Sequence, residues 1–423
     1  TDSTRYHPRL NEIDARIHEY FRDFPPRPND SLYEQAMFLA TKDFTIPKQN
    51  VRHVNDVIRH YPHPDRSPGL PYTKMGLRRK IDVDTNVIRW NIHKIKYQQI
   101  QRFKVPCTAA IKTVVSTKNK FRLVWVYPVD MTILEGMFAQ PLIRAYNCQF
   151  DKPYAIWYRW QQGHMKHLNA KITPTSTWLG IDYSSFDVNV PAWLIRDAFK
   201  ILKTFLNFKQ YEFYGAPTDA ETIDVLWREL VRYFINTPIK LKSGKIVVKH
   251  SGVPSGSYFT NLVDSVCNCI MTHYLLLRMQ IQYHDRYFMG DDGLVRIVGN
   301  LPLEAFSLLA KEVFGCTINP DKSEVGKYVH WLGYKLGPKY PVIDIQKAID
   351  QILVPSKPDR FCTDILVRSR AVWIASFCDP DLERVLIDAD LLADIRKRYK
   401  CHTLEKLEYL GLSLNDHNIR CYV

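Results

Sequence analysis

Paired cysteines are what this chain most plainly lacks. Its nine Cys are scattered singly apart from Cys267 and Cys269, and no Cys-x-x-Cys occurs. That layout speaks against a zinc site or a secreted disulfide framework and for a reducing compartment. Long apolar runs are missing too. No stretch is long enough to span a bilayer, and the opening "TDSTRYHPRL" is polar with no secretory signal. The expectation is a soluble intracellular protein with no membrane partner. Internal repeats and low-complexity segments are also absent, which sets aside solenoid and biased-composition classes. Acidic residues are in short supply: 44 Asp plus Glu face 58 Lys plus Arg, for a formal charge of +14.

What is present suits a large folded enzyme or binding protein. At 423 residues and 46% hydrophobic content the chain can bury a sizeable core. A basic surface with 13% aromatic residues is what a polyanion partner would want. His164 and His167 in "GHMKH" have no third ligand nearby and read as surface or satisfied histidines. Pro-rich "FPPRPND" (24–30) and "YPHPDRSPGLPY" (61–72) must be extended or turning, so they are loops. Between them "LYEQAMFLATKDF" has helical spacing. The segment 105–128 reads as two strands joined by a basic turn. "TWLGIDYSSFDVNV" is an apolar strand ending in carboxylates, followed by a helix with Pro191 at its first position. "IKLKSGKIVVKH" is a hairpin about Ser243-Gly244, and "SGVPSGSYFTNLVDSVCNCIMTHYLLL" a glycine-containing loop running into a long helix. "RYFMGDDGLVRIV" reads as a hairpin, "LPLEAFSLLAKEVFG" as a helix, "HWLGYKLG" as a short strand, and the tail from about 360 as mostly helical. This order is α+β rather than doubly wound.

The carboxylates fall in special places. Asp182 ends one strand, Asp187 lies five residues on, and Asp291 and Asp292 occupy the tip of the hairpin. A Gly-Asp-Asp triplet alone fits a turn. If strand and hairpin are neighbours, however, Asp182 and Asp291 face each other at the sheet's end and cannot stay ionised unpaired. Divalent cations resolve that conflict. Magnesium takes one or two carboxylates plus substrate phosphates, and two ions about 3.5 to 4 Å apart serve in-line displacement in polymerases and nucleases.

With these residues in view, a family resemblance is evident. "DYSSFD" (182–187), "SGVPSGSYFTNLVDSVCN" (251–268) and "MGDDG" (289–293) resemble, in order and spacing, palm motifs A, B and C of viral RNA-dependent RNA polymerases. "SPGLPY" (67–72) resembles motif G, "KTVVSTKNKFRLVW" motif F, "INPDKSEV" motif D and "HWLGYKLG" motif E. "FDVNVPAWLIRDAF" and "SGVPSGSYFTNLV" are most similar to the partitivirus group of double-stranded RNA viruses, with picobirnaviruses nearby. The motifs cover about residues 65 to 337.

The resemblance implies a right-hand fold with fingers, palm and thumb, the palm an antiparallel sheet backed by helices. Its implied domains are an N-terminal extension bridging fingers and thumb (1–66), fingers (67–175), palm (176–204), a fingers insertion (205–250), palm (251–345) and thumb (346–423). The implied activity is RNA-directed RNA synthesis that replicates and transcribes a double-stranded RNA genome. Asp182, Asp291 and Asp292 would hold two Mg2+, with Mn2+ as a substitute. Lys120 and Arg122 would neutralise the triphosphate, Arg122 by bidentate contact. Lys322 resembles the motif D lysine that protonates pyrophosphate, and Ser67, Gly69 and Pro71 would contact template. Ser255 and Gly256 lie in a loop where Gly permits close approach to a ligand. Thr260, Asp264 and Asn268 are spaced four apart on one helix face. The family usually has Asn where this chain has Asp264. With Asp187 expected beside the ribose, two acids would sit close together. One is expected to be protonated or hydrogen-bonded through Ser255 or Thr260, and Asp264→Asn to flatten an acidic limb of the pH profile. Implied partners are RNA template and product, ribonucleoside triphosphates and viral capsid protein. The implied location is inside the virion, within the host cytoplasm. Two other classes are weighed. An inactive polymerase-like RNA-binding protein is disfavoured by the intact carboxylates. A reverse transcriptase is disfavoured by polar Asp187, where exclusion of a 2′-hydroxyl calls for bulk.

Overall fold

Residues 177–181 alternate in destination, and that alternation builds the centre of the molecule. Leu179 and Ile181 enter the main hydrophobic core with Phe288, Val295 and Ile297, whereas Trp178 points to the other face with Tyr287, Leu294 and Trp331. A period of two buried on both faces marks a central strand. Thr177–Ile181 is one of four strands, in the order Tyr283–Met289, Asp292–Ile297, Thr177–Ile181, Glu324–Gly326, and every pairing is antiparallel. The computed structural model describes residues 2–61, 63–159, 164–337 and 341–392.

Helix Thr260–Arg278 packs against this sheet, and helices Ser31–Asp43 and Ala192–Thr204 pack against it in turn. The mixed α+β class and the helix-backed antiparallel sheet are therefore as expected. A second four-stranded sheet runs Ile246–Val248, Pro238–Lys240, Cys107–Thr113, Phe121–Val126. It contains the basic hairpin and the Ser243-Gly244 turn read from the sequence. Helices Ile345–Leu353, Asp364–Ala375 and Pro380–Asp388 share a small core of Ile352, Trp373, Ile374, Leu382 and Leu386. The N-terminal residues tie these parts together. Thr4–Arg5 pairs with Val115–Ser116 in the basic turn, and the Arg5 guanidinium donates to the carbonyls of Thr113 (3.1 Å) and Val354 (2.9 Å).

Two local expectations change. Pro191 is the N-cap and the helix starts at Ala192, because Pro191 adopts extended ψ near 149°. "HWLGYKLG" is a tight two-strand hairpin, His330–Trp331 with Tyr334–Lys335, since Leu332 and Gly333 both take positive φ and turn the chain. The tail is helical at 364–375 and 380–388, while residues 393–423 lie outside the described residues.

Candidate active site

Register brings the carboxylates together. Ile181 pairs with Gly293 and Met289 with Asp292, so Asp182 and Asp292 emerge at the same sheet end, with Asp291 in the turn. That turn needs Gly290, whose φ is +63°. Helix Thr260–Arg278 holds it from below: the Gly290 N–H donates to Ser265 Oγ (2.8 Å), and Asn268 Nδ2 donates to the Gly290 carbonyl (3.2 Å). Asp182 is held from the other side. Its N–H donates to Ser323 Oγ (3.0 Å), Ser323 Oγ donates to the Asp182 carbonyl (3.1 Å), and so does the Asn319 N–H (2.8 Å). The loop carrying Lys322 is thus fastened to the strand end carrying Asp182.

The electrostatics follow from this crowding. Among the described residues no ion pair and no side-chain hydrogen bond engages the carboxylates of Asp182, Asp291 or Asp292. Burial, then the charges of Asp291 and Asp182, push the Asp292 carboxyl up to about 7. Burial, with Asp182, also raises Asp291, which stands at the open tip. Arg122 and Lys322 pull both back. The Lys120 ammonium is lowered by burial first and then by Lys322 and Arg122, with Asp182 opposing. Lys120, Arg122 and Lys322 thus share a charged neighbourhood with the acids, each acting on at least one group of the set. Hard oxygen donors at this density fit divalent cations such as magnesium.

Beside the carboxylates lies a second acidic pair. Asp187 accepts a short hydrogen bond from the Ser255 hydroxyl, and the Asp264 carboxyl lies near enough for the two acids to act on each other. Burial, then Asp187 and Asp291, push the Asp264 carboxyl well above the usual range, and its Oδ1 has no partner. Asp187 is raised chiefly by burial. Crowding and burial favour the protonated form at Asp264, while the Ser255 bond favours the charged form at Asp187. Of the two hydroxyls named from the sequence, Ser255 reaches the pair, at Asp187, and Thr260 does not. Thr260 Oγ1 instead donates to the carbonyls of Pro254 (2.7 Å) and Ser257 (3.0 Å), shaping the loop from within. Gly256 has φ +149°, and a Cβ there would lie 2.1 Å from the Trp125 carbonyl oxygen. The Trp125 N–H donates to the Ser255 carbonyl (2.7 Å), which docks this loop on the strand carrying Arg122.

The expected template residues divide. Gly69 is buried with φ +72°, and a Cβ would meet the Tyr127 carbonyl at 2.6 Å, so it serves close packing. Ser67 Oγ accepts from the Gly69 N–H (3.3 Å). Pro71 is exposed and lines a cavity of about 1260 Å3 together with Lys74, Lys94, Arg102, Lys104 and Lys240. Lys74 crowds Lys240 closely enough to lower the Lys240 ammonium. Asp182, Asp291 and Asp292 do not line this basic cleft.

His164 Nδ1 accepts from the Arg159 N–H (2.7 Å) and His167 faces Asp151 (3.1 Å), so neither is a metal ligand in waiting. A different cluster brings three ligand-type atoms together, Asp43, Cys269 and His273. There the cation position is already taken. Arg286 forks onto both Asp43 oxygens (2.7 and 2.6 Å) and His273 Nε2 lies 2.7 Å from Asp43 Oδ2, so the cluster reads as a buried ion-pair network. Arg286 lies on the strand leading to Gly290, so its pairing with Asp43 joins helix Ser31–Asp43 to the hairpin that carries Asp291 and Asp292. Sequence reasoning missed Ser265, Asn319, Ser323 and the Asp43–Arg286 pair. Ser323, directly after Lys322, is the one a motif reading could have examined.

Comparison with known proteins agrees with this geometry. Residues 16–341 match the family described as viral RNA-dependent RNA polymerase, reaching well N-terminal to the recognised motifs. The RNA-directed RNA polymerase of Cryptosporidium parvum virus 1 (strain KSU-1) is 28% identical over 393 residues, covering 83% of this chain and 70% of that protein. That of White clover cryptic virus 1 is 26% identical over 250 residues, 53% of this chain and 41% of that protein. In fold, the chain resembles the crystal structure of a human picobirnavirus RNA-dependent RNA polymerase, with a TM-score of 0.68 at 15% identity over 98% of this chain and 82% of that one. The insertion-loop deletion mutant of that enzyme gives 0.65 over 95% and 81%. A right-hand fold, its acids gathered at one sheet end beneath three basic side chains, and a family match over most of its length together show that this chain belongs to the viral RNA-dependent RNA polymerases.

Proposed function

We propose that the chain copies a single-stranded RNA template by joining ribonucleoside triphosphates to an RNA 3′-hydroxyl, in replication and transcription of a double-stranded RNA genome. The observation that carries this is the meeting of Asp182, Asp291 and Asp292 within reach of Lys120, Arg122 and Lys322. The three carboxylates would hold two Mg2+, or Mn2+ in their place. When bound, such ions stabilise the attacking and leaving oxygens of an in-line displacement. Lys120 and Arg122 would neutralise and orient the triphosphate, and Asp187 would accept a hydrogen bond from the ribose 2′-hydroxyl. The test is labelled-nucleotide incorporation by the purified chain on single-stranded RNA with either ion. No product with either ion, from a chain that still binds RNA, would remove the reading.

Lys322, on the loop fastened to Asp182, would give a proton to the departing pyrophosphate, a role supported by its charge acting on Asp291 and Asp292. Lys322→Leu should slow single-nucleotide addition by about a hundredfold, with little change in nucleotide affinity, because an acid used only in the transition state affects kcat. A rapid-quench rate equal to that of the unchanged chain takes Lys322 out of the chemical step.

The incoming template strand would lie along the basic cleft beside Pro71, with Ser67 and Gly69 shaping its wall. Lys74→Glu together with Lys240→Glu should weaken single-stranded RNA binding and lower the salt slope by about one to two, since each phosphate contact releases counterions. Gel-shift titration across salt concentrations checks this, and an unaltered slope would place the template elsewhere.

The domain bounds 1–66, 67–175, 176–204, 205–250, 251–345 and 346–423 belong to the same reading. So do a capsid-protein partner and action inside the virion in the host cytoplasm, supported by the similarity to polymerases of other viruses. Among the described residues no helix is long and apolar enough to cross a membrane.

A further inference from the structure

The loop carrying Ser255 and Gly256 is gripped at both ends by buried ionisable side chains that take no part in the chemistry above. At its start the Lys249 ammonium donates to the carbonyls of Phe234 (2.6 Å), Ile235 (2.9 Å) and Gly252 (2.9 Å), tying the loop to the end of helix Ala220–Ile235. At its far end Glu135 of helix Val129–Asn147 accepts from the Ser257 hydroxyl and from the Tyr258 N–H (3.2 Å). Ser257 Oγ accepts in turn from the Phe259 N–H (3.0 Å), one residue before helix Thr260–Arg278 begins. Among the described residues no cation pairs with Glu135.

We propose that Glu135 is a positioning residue for the nucleotide site: it fixes the far end of this loop, so that Ser255 meets Asp187 and Gly256 meets Trp125. The inference rests on the reading that Asp187 and this loop hold the incoming nucleotide. The groups whose charge would act on Glu135 are Cys107 on the neighbouring strand, Tyr127 after the next strand, Tyr233 on helix Ala220–Ile235 and Tyr258 in the loop itself. Burial raises all of these above their ordinary values, so they stay neutral near pH 7. Burial also pushes the Glu135 carboxyl up to about 8. Near neutrality Glu135 is a neutral acid. On the alkaline side it becomes an uncompensated buried charge, which is costly.

Steady-state kinetics on the full chain with Glu135→Ala, Glu135→Gln and Asp187→Ala tests this. Glu135→Ala leaves buried donors unpaired and should raise KM for nucleotide by about tenfold, with kcat and RNA affinity little changed. Glu135→Gln should match the unchanged chain at pH 7 and show a smaller rise in KM at pH 9 than the unchanged chain, the part that remains being that of Asp264. Normal KM in Glu135→Ala, or the same alkaline behaviour with and without Glu135→Gln, overturns the inference. If Glu135→Ala fails to fold, the pH comparison with Glu135→Gln decides alone. Asp187→Ala separates the premises: if it leaves KM unchanged, the nucleotide-pocket reading fails and this inference goes with it. Raised KM in Asp187→Ala with normal KM in Glu135→Ala sinks only the role of Glu135.

Discussion

Asp291→Asn is expected to lower nucleotide incorporation by at least about a thousandfold, the scale of losing several kcal/mol of metal-assisted charge stabilisation. RNA affinity should stay within about twofold, because binding rests on basic contacts to phosphate away from the hairpin tip. The structure supports separating the two effects. The turn is held by Gly290, Ser265 and Asn268 through backbone and neutral side-chain bonds that an Asn at 291 leaves untouched. Incorporation and electrophoretic mobility shift measured on the same preparation check it. Loss of both in a variant with unchanged circular dichroism and melting temperature would make Asp291 a structural residue.

The second large effect concerns sugar selection. A site built to pair a hydroxyl rejects the analogue lacking it because its own polar atoms are left unpaired. Asp187→Ala should therefore reduce the preference for ribo- over deoxyribonucleotides by about a hundredfold, through poorer use of the ribonucleotide. Asp264→Asn should keep activity at neutral pH, since an amide can donate to Asp187 as a protonated acid can. The pH dependence has a definite sign. Burial, then Asp187 and Asp291, raises the Asp264 carboxyl and favours its protonated form, and its ionisation as pH rises places a second charge against Asp187. Asp264→Asn, which cannot ionise, should flatten the fall in activity that accompanies that charge. Competition between ribo- and deoxyribonucleotides checks the first expectation and kcat/KM profiles the second. Full discrimination in Asp187→Ala, or a dead but folded Asp264→Asn, would show that the pair does not read the sugar.

Legibility followed chemistry. The meeting of Asp182, Asp291 and Asp292 can be read from sequence because a strand ending in a carboxylate and a hairpin with two at its tip need only an antiparallel register to bring them together. The hairpins at 238–248 and 283–297 were equally readable, since turn residues sit between alternating strands. What stayed hidden is pairing over long separations. Ser323 on Asp182, Arg286 on Asp43 and Glu135 on Ser257 join segments far apart in the chain, and no local pattern announces them. Gly69 carries a requirement its motif does not spell out. Beside the RNA contact the motif suggested, a tertiary neighbour, the Tyr127 carbonyl, leaves no room for a Cβ there. The raised Asp264 carboxyl was legible as crowding of two acids, whereas burial, its largest cause, was not.

Anomalous diffraction from a crystal of the full chain soaked with Mn2+, in complex with RNA and a non-hydrolysable nucleoside triphosphate, tests the central claim most directly. Expected are peaks bounded by Asp182, Asp291 and Asp292 on one side and triphosphate oxygens on the other, with none at the Asp43, Cys269 and His273 cluster, where Arg286 holds the cation position. Nucleotide bound without manganese at those three carboxylates would contradict the metal-dependent mechanism and the reading of the sheet end as its catalytic centre.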